Sequence, residues 1–144
     1  QDLYPAELGG WEKAVLKKEM ERDGFKFWYR NPNRPSQDSL GIAYKSDDTR
    51  IVRPDFIFIA EADGEIVADL VDPHGFHFAD ALPKLQGLAH YAETHAEVYR
   101  RIEAVAKTGE KPRVLDLTRT DVRKGIMTAE SAEALYRGAL AGDY

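Results

Sequence analysis

The sequence predicts a fold of the α/β (α+β) class, in which helices flank a mixed sheet. An amphipathic helix opens the chain, an Asp-Gly turn joins two apolar runs, and helical segments follow a block of strands. The 144 residues are 43% hydrophobic and 31% charged, which is typical of a globular domain that buries its own core. We expect a single domain over residues 1–144, excised from a larger protein because residue 1 is Gln rather than Met.

The first half of the chain predicts one helix and then four strands. Residues 7–22 place Trp11, Val15 and Leu16 at helical spacing, and Asp23-Gly24 provides a stop. Alternating or apolar runs predict the strands, and the Asp63-Gly64 dipeptide predicts that the last two form a hairpin. The expected strands cover residues 25–30, 40–44, 50–61 and 65–71.

The second half predicts three helices and a strand. A leucine-rich face predicts a helix from Ala79 or Ala81 to about His95, and Pro83 suits its first turn. The other elements are expected as a helix at 96–107, a strand at 113–118 and a helix at 128–140 with Thr128 as its N-cap.

Composition excludes several classes of site and partner. Without cysteine the chain has no disulfide or thiolate site, so a metal would need oxygen or imidazole ligands. The net charge of −5 argues against a free-standing, non-specific nucleic-acid binder. Neither a signal peptide nor a membrane anchor is recognisable, and we expect a cytoplasmic protein.

Two acids interrupt the apolar strands of the predicted hairpin. Asp55 lies in RPDFIFI and Asp69 lies in EIVADLV. Acids on the same face of neighbouring strands repel each other, and a hard cation such as Mg²⁺ or Mn²⁺ relieves the repulsion. A third acid from the first helix would complete the site, and we choose Glu12, beside Trp11. The expected metal ligands are therefore Glu12, Asp55 and Asp69.

These strings, with WE in the first helix and FWYRNP before SLGIAY, resemble the PD-(D/E)XK nuclease superfamily over roughly residues 11 to 95. The resemblance is to the C-terminal nuclease domains of type III restriction and related phage-defence helicases. It implies a restriction-endonuclease-like αβββαβ core and Mg²⁺-dependent endonuclease cleavage of DNA. It also implies Glu12, Asp55 and Asp69 as catalytic acids, a parent helicase in the same chain and, as one arrangement, a dimer.

The lysine of the superfamily motif is missing, because Val71 stands two residues after Asp69. Lys84 of the following helix is one replacement. Asp72 and His74 of DPHG are another, as a ligand and a base that titrates near neutral pH. The third alternative is a degenerate nuclease fold that positions DNA or binds a protein without cutting.

Several polar residues of the same region allow a second interpretation. Asp55 also allows a simpler interpretation, as an exposed residue at a strand entrance after a proline. Two histidines, His74 and His77, predict a transition-metal site in a third, unrelated α/β enzyme or scaffold. The expected phosphate contacts to DNA come from Arg30, Arg34 and Arg53.

Overall fold

The computed structural model describes residues 9–30, 42–45, 49–52, 56–75, 81–109 and 111–144, and only the backbone in 42–45 and 49–52. The helices are α1 (Gly10–Met20), α2 (Ala81–His95), α3 (Thr120–Thr128) and α4 (Ala132–Arg137). The strands are β1 (Phe25–Arg30), β2 (Ile42–Lys45), β3 (Thr49–Val52), β4 (Phe56–Ala62), β5 (Glu65–His74), β6 (Arg101–Thr108), β7 (Lys111–Asp116) and β8 (Gly142–Asp143).

Six of these strands form one mixed sheet in the order β1-β4-β5-β6-β7-β8, and β2 pairs with β3 separately. Only the β5–β6 pair is parallel among the described pairs of this sheet, and α2 makes the crossover that a parallel connection requires. The predicted class, a mixed sheet flanked by helices, is confirmed.

The sheet buries a different core on each face. On the first face, Val15 and Leu16 of α1 pack with Phe56, Phe58 and Val71. On the second face, α2, α3 and α4 cover a larger cluster that includes Leu70, Leu85, Ile102, Leu115 and Ile126. Side chains alternate along a strand, so neighbouring residues of β5 belong to opposite faces.

The predicted hairpin is confirmed as the β4–β5 pair. Asp63 and Gly64 have φ values of 53° and 81°, the left-handed conformations that a two-residue turn of this kind requires. The turn sets the register, which pairs Ala62 with Glu65 and Phe56 with Val71. The run predicted as one strand at 50–61 is two strands, because β3 pairs with β2 and only β4 joins the large sheet.

Two helix predictions were wrong. Residues 96–100 form turns and a bend, and 101–108 form β6, in which three consecutive buried residues (104–106) interrupt the polar alternation that identifies a half-exposed strand. The helix predicted at 128–140 is the shorter α4, and its N-cap is Ser131, whose Oγ accepts from the Ala134 backbone N–H at 3.1 Å. Thr128 instead ends α3, a helix that the sequence had not predicted.

The other predicted elements of the second half are present. The helix expected from Ala79 or Ala81 is α2, and the strand expected at 113–118 is β7, which begins two residues earlier. Within the described ranges, no helix is both long enough and apolar enough to cross a membrane.

Candidate functional site

Asp69 lies on the α1 face of β5, where two arginines surround it. The carboxylate is 1% exposed, and Arg100 binds both of its oxygens, with Nε 3.0 Å from Oδ1. Arg101 adds a third bond, from Nη1 to Oδ2 at 3.0 Å. Guanidinium groups thus compensate the buried charge, and the argument that this acid needs a cation loses its basis.

Arg101 connects Asp69 to a larger ion network. Its guanidinium donates to Glu19 at 2.8 and 3.1 Å and to Glu103 at 2.6 and 3.0 Å. Burial alone would raise the pKa of Glu19, but bonds from Arg101 and Tyr144 and the charge of Arg22 outweigh it, so the pKa is lowered. The network joins α1 to the centre of the sheet.

The carboxylate of Glu12 already has partners at the start of α1. Its Oε1 accepts from the Gly9 backbone N–H at 3.3 Å, and its Oε2 lies 3.9 Å from Nη2 of Arg30. Among the described residues, no three His, Asp or Glu side chains are grouped closely enough to hold a metal ion. Glu12 and Asp69 thus have other partners in the described part of the chain, and the third predicted ligand, Asp55, lies outside it.

Several predicted site residues lie outside the described part of the chain. These are Asp55, Arg34, Arg53 and His77. Their expected roles stay predictions. Lys84 is described as the fourth residue of α2, where it is partly buried.

A second cluster lies on the opposite face, at the carboxyl end of β5. Asp72 is 6% exposed, and its Oδ2 lies 3.8 Å from Nδ1 of His74. Nε2 of His74 lies 2.5 Å from the hydroxyl of Tyr136, which α4 places in the core. The two buried acids of β5, Asp69 and Asp72, thus belong to two separate sites.

Tyr136 orients the imidazole of this cluster. Burial raises the pKa of Tyr136 well above its ordinary value, and the negative charge of Asp72 raises it further. The phenol is therefore protonated at neutral pH, and it either donates to Nε2 of His74 or accepts from Nε2–H, depending on the tautomer of the imidazole. This bond leaves Nδ1 as the ring nitrogen that faces Asp72.

Comparison with known proteins gives the family. Residues 1–144 match the model of the YagJ family. The chain belongs to that family. Protein YagJ of Escherichia coli (strain K12) is 58% identical over 142 residues, which cover 98% of this chain and 58% of Protein YagJ. The chain thus spans less than two thirds of that relative's length. No solved structure gives a significant match.

Sequence reasoning about this YagJ-family chain named Asp72 only as an alternative ligand, and the structure shows which face of β5 it occupies. The signal was available, because a two-residue Asp-Gly turn fixes the register and pairs Val71 with Phe56. Asp72 follows Val71 and shares a face with His74, whereas Asp69 is paired with Phe58 on the α1 face. Asp69 and Asp72 therefore differ in the face that they occupy and in the partners that they contact.

Proposed function

We propose that this chain is a Mg²⁺- or Mn²⁺-dependent endonuclease module that hydrolyses phosphodiester bonds of DNA. The observation that carries the proposal is the contact between Asp72 and His74 at the end of β5. The order of elements supports it, since α1, β1, β4, β5, α2 and β6 follow one another as αβββαβ, with the β2–β3 pair inserted. We also propose a cytoplasmic location, and a parent restriction or phage-defence helicase.

Asp72 replaces Asp69 as the strand acid in this proposal. The run Asp72-Pro73-His74 has the spacing of an acid and a basic group two residues later, with histidine where the superfamily has lysine. Asp55 lies outside the described residues and is retained from the sequence as the proposed second acid.

These residues fit a hard divalent cation only in part. Mg²⁺ in nucleic-acid enzymes is commonly held by one or two carboxylates, with water and phosphate oxygens completing its shell. Asp72 offers one nearly buried carboxylate, and the described residues offer no group of three ligands. A bound ion would supply stabilisation of negative charge on the phosphate and a lower pKa for the attacking water.

His74 is the proposed base. An imidazole can accept a proton from water near neutral pH when the proton it already carries is on Nε2, which then donates to the oxygen of Tyr136, and Nδ1 is the proposed acceptor. Lys84 remains the alternative auxiliary group, from the first turn of α2. Contacts to the DNA backbone are proposed for Arg30, Arg34 and Arg53, of which Arg30 lies beside Glu12.

A cleavage assay tests the proposal. Full-length protein is incubated with plasmid and with linear duplex DNA, in Mg²⁺, in Mn²⁺ and in EDTA. We expect metal-dependent cleavage that Asp72→Asn reduces by about 100-fold, a loss typical of a group that stabilises the transition state. Asp69→Asn is the matched control, and its cleavage rate per folded molecule should match the wild type. Intact DNA under both metals, or full activity in Asp72→Asn, refutes the proposal.

A second candidate is a nuclease fold that positions DNA or binds a protein without cutting. It is favoured by Val71, which is fully buried where the motif expects lysine, and by the engagement of Asp69 with arginines. This candidate predicts DNA binding by fluorescence anisotropy without cleavage, and a melting temperature that Mg²⁺ leaves unchanged. A Mg²⁺-dependent rise in melting temperature that Asp72→Asn abolishes would count against it.

A further inference from the structure

A cavity of about 420 Å³ opens between α2 and α3, and its walls are separate from the Asp72 cluster. Its volume lies in the range of about 300–1,000 Å³ that is typical of small-molecule sites. From α2 come Ala89, His90 and Glu93, while Arg123, Lys124 and Met127 come from α3.

The walls of this cavity are largely apolar. Met127 is 53% exposed although it is a large hydrophobic residue, and Ala89 of α2, which is buried, lines the same cavity. An exposed, flexible thioether adapts its shape to apolar ligands, and such side chains are common at adaptable binding surfaces. The apolar part of a ligand would displace water from Met127 and Ala89.

Arg123 presents a fixed cation to the same space. Its Nη1 donates to the carbonyl oxygens of Leu117 and Thr118 at 3.0 and 2.9 Å, and its Nη2 donates to Oγ1 of Thr120 at 3.3 Å. A guanidinium has five N–H donors, so the Nε–H and one Nη2–H have no assigned acceptor within the described residues. The group is held in place by the protein while keeping donors for a ligand.

Lys124 adds a second cation one residue later. It is exposed and forms no ion pair with any residue that the structure describes. Glu93 is the acid of the lining, so two permanent cations face one carboxylate. His90 adds an imidazole from α2. The charge balance favours an anionic ligand.

We propose that this cavity binds a small amphipathic anion, a molecule with an apolar ring system and one carboxylate, sulfonate or phosphate group. The ring system packs on Met127 and Ala89. The anionic group accepts from Lys124 and from the remaining N–H donors of Arg123. The proposal does not depend on nuclease activity.

The probe is 8-anilinonaphthalene-1-sulfonate, an aromatic sulfonate that fluoresces on leaving water. We expect a single saturable site on the full chain, with affinity weakened about three- to tenfold by Lys124→Met, as expected for one charge-assisted contact near solvent. The neutral analogue N-phenyl-1-naphthylamine should be insensitive to Lys124→Met, while Met127→Ser should weaken both probes. Inorganic phosphate alone should compete only weakly, because it lacks the apolar part.

The matched control is Lys17→Met, which removes an exposed helical lysine from α1. Its affinity for the sulfonate should equal that of the wild type. Equal losses in Lys17→Met and Lys124→Met would reveal a general charge effect and overturn the proposal. Unchanged binding in both Lys124→Met and Met127→Ser, or no saturable binding at all, would overturn it as well.

Discussion

Each face of β5 buries an aspartate, but the two aspartates have different partners. Asp69 and Asp72 are 1% and 6% exposed, but Asp69 is bound by two arginines, whereas Asp72 contacts a histidine that is held by a buried tyrosine. Arginine keeps its charge at every working pH, while histidine titrates near neutrality. Permanent countercharge suits a structural ion network, and a titratable neighbour suits proton transfer.

The largest expected effect concerns the α1 face. Arg101→Met removes a cation that contacts Glu19, Asp69 and Glu103, and leaves the buried carboxylate of Glu19 without its main partner. We expect the free energy of unfolding to fall by about 3–5 kcal/mol in urea titrations. Arg119→Met, which breaks an exposed pair with Asp121, is the control and should change stability too little to resolve. Equal stability of both variants would contradict the structural role of the network.

The opposite face should respond in activity instead. Tyr136→Phe removes the hydroxyl at Nε2 of His74 and keeps the ring in the core. For the proposed DNA cleavage we expect kcat to fall about tenfold, with KM unchanged, since positioning of the proposed base contributes on this scale. The pH profile of kcat should shift, because the imidazole loses a neighbour. An unaltered profile and rate would remove Tyr136 from the site.

A matched tyrosine on the first face provides a smaller effect. Tyr144→Phe deletes the hydroxyl that donates to Oε2 of Glu19 at 2.8 Å and keeps the ring beside Trp11. We expect about 1 kcal/mol less stability in chemical denaturation, and cleavage kinetics like those of the wild type. A loss of activity comparable to that of Tyr136→Phe would mean that the two faces are not separate.

The smallest effect is a pH dependence. The lowered pKa of Glu19 means that its contribution to stability is complete above its ordinary value of 4.5 and is lost as pH falls through the folded-state pKa. The wild type should therefore lose stability below about pH 4.5. In Glu19→Gln the acid-induced loss should be shallower, so the two curves approach each other at low pH. Parallel curves would exclude Glu19 as a source of the acid dependence.

Short sequence patterns predicted the elements that are determined by residues close together in the sequence. The Asp63-Gly64 turn, the apolar stripe of α1 and the leucine face of α2 are each visible in a short window, and each was confirmed. β6 was misread because a strand with consecutive buried residues carries apolar residues at helical as well as alternating positions. That this segment forms a strand depends on its pairing with β5, and β5 lies too far away in the sequence for a short pattern to include it.

The candidate site depended on partners that are distant in sequence. Arg100 and Arg101 follow Asp69 by more than thirty residues, and the segment that holds them was read as part of a helix or its approach. Tyr136 reaches His74 across a sequence separation of 62 residues. Sequence reasoning could identify acids in apolar runs, but their counterions were visible only in the folded structure.

The short turn between β4 and β5 has an evolutionary consequence. A slip of one residue between these strands would carry Asp72 and His74 to the side covered by α1 and turn Asp69 away from its arginines. One such slip would remove both the Asp72–His74 contact and the bonds between Asp69 and its arginines, although the turn itself is exposed. Insertions in this bend are therefore tolerated only when they preserve the parity of the strand, and single-residue indels should be selected against there.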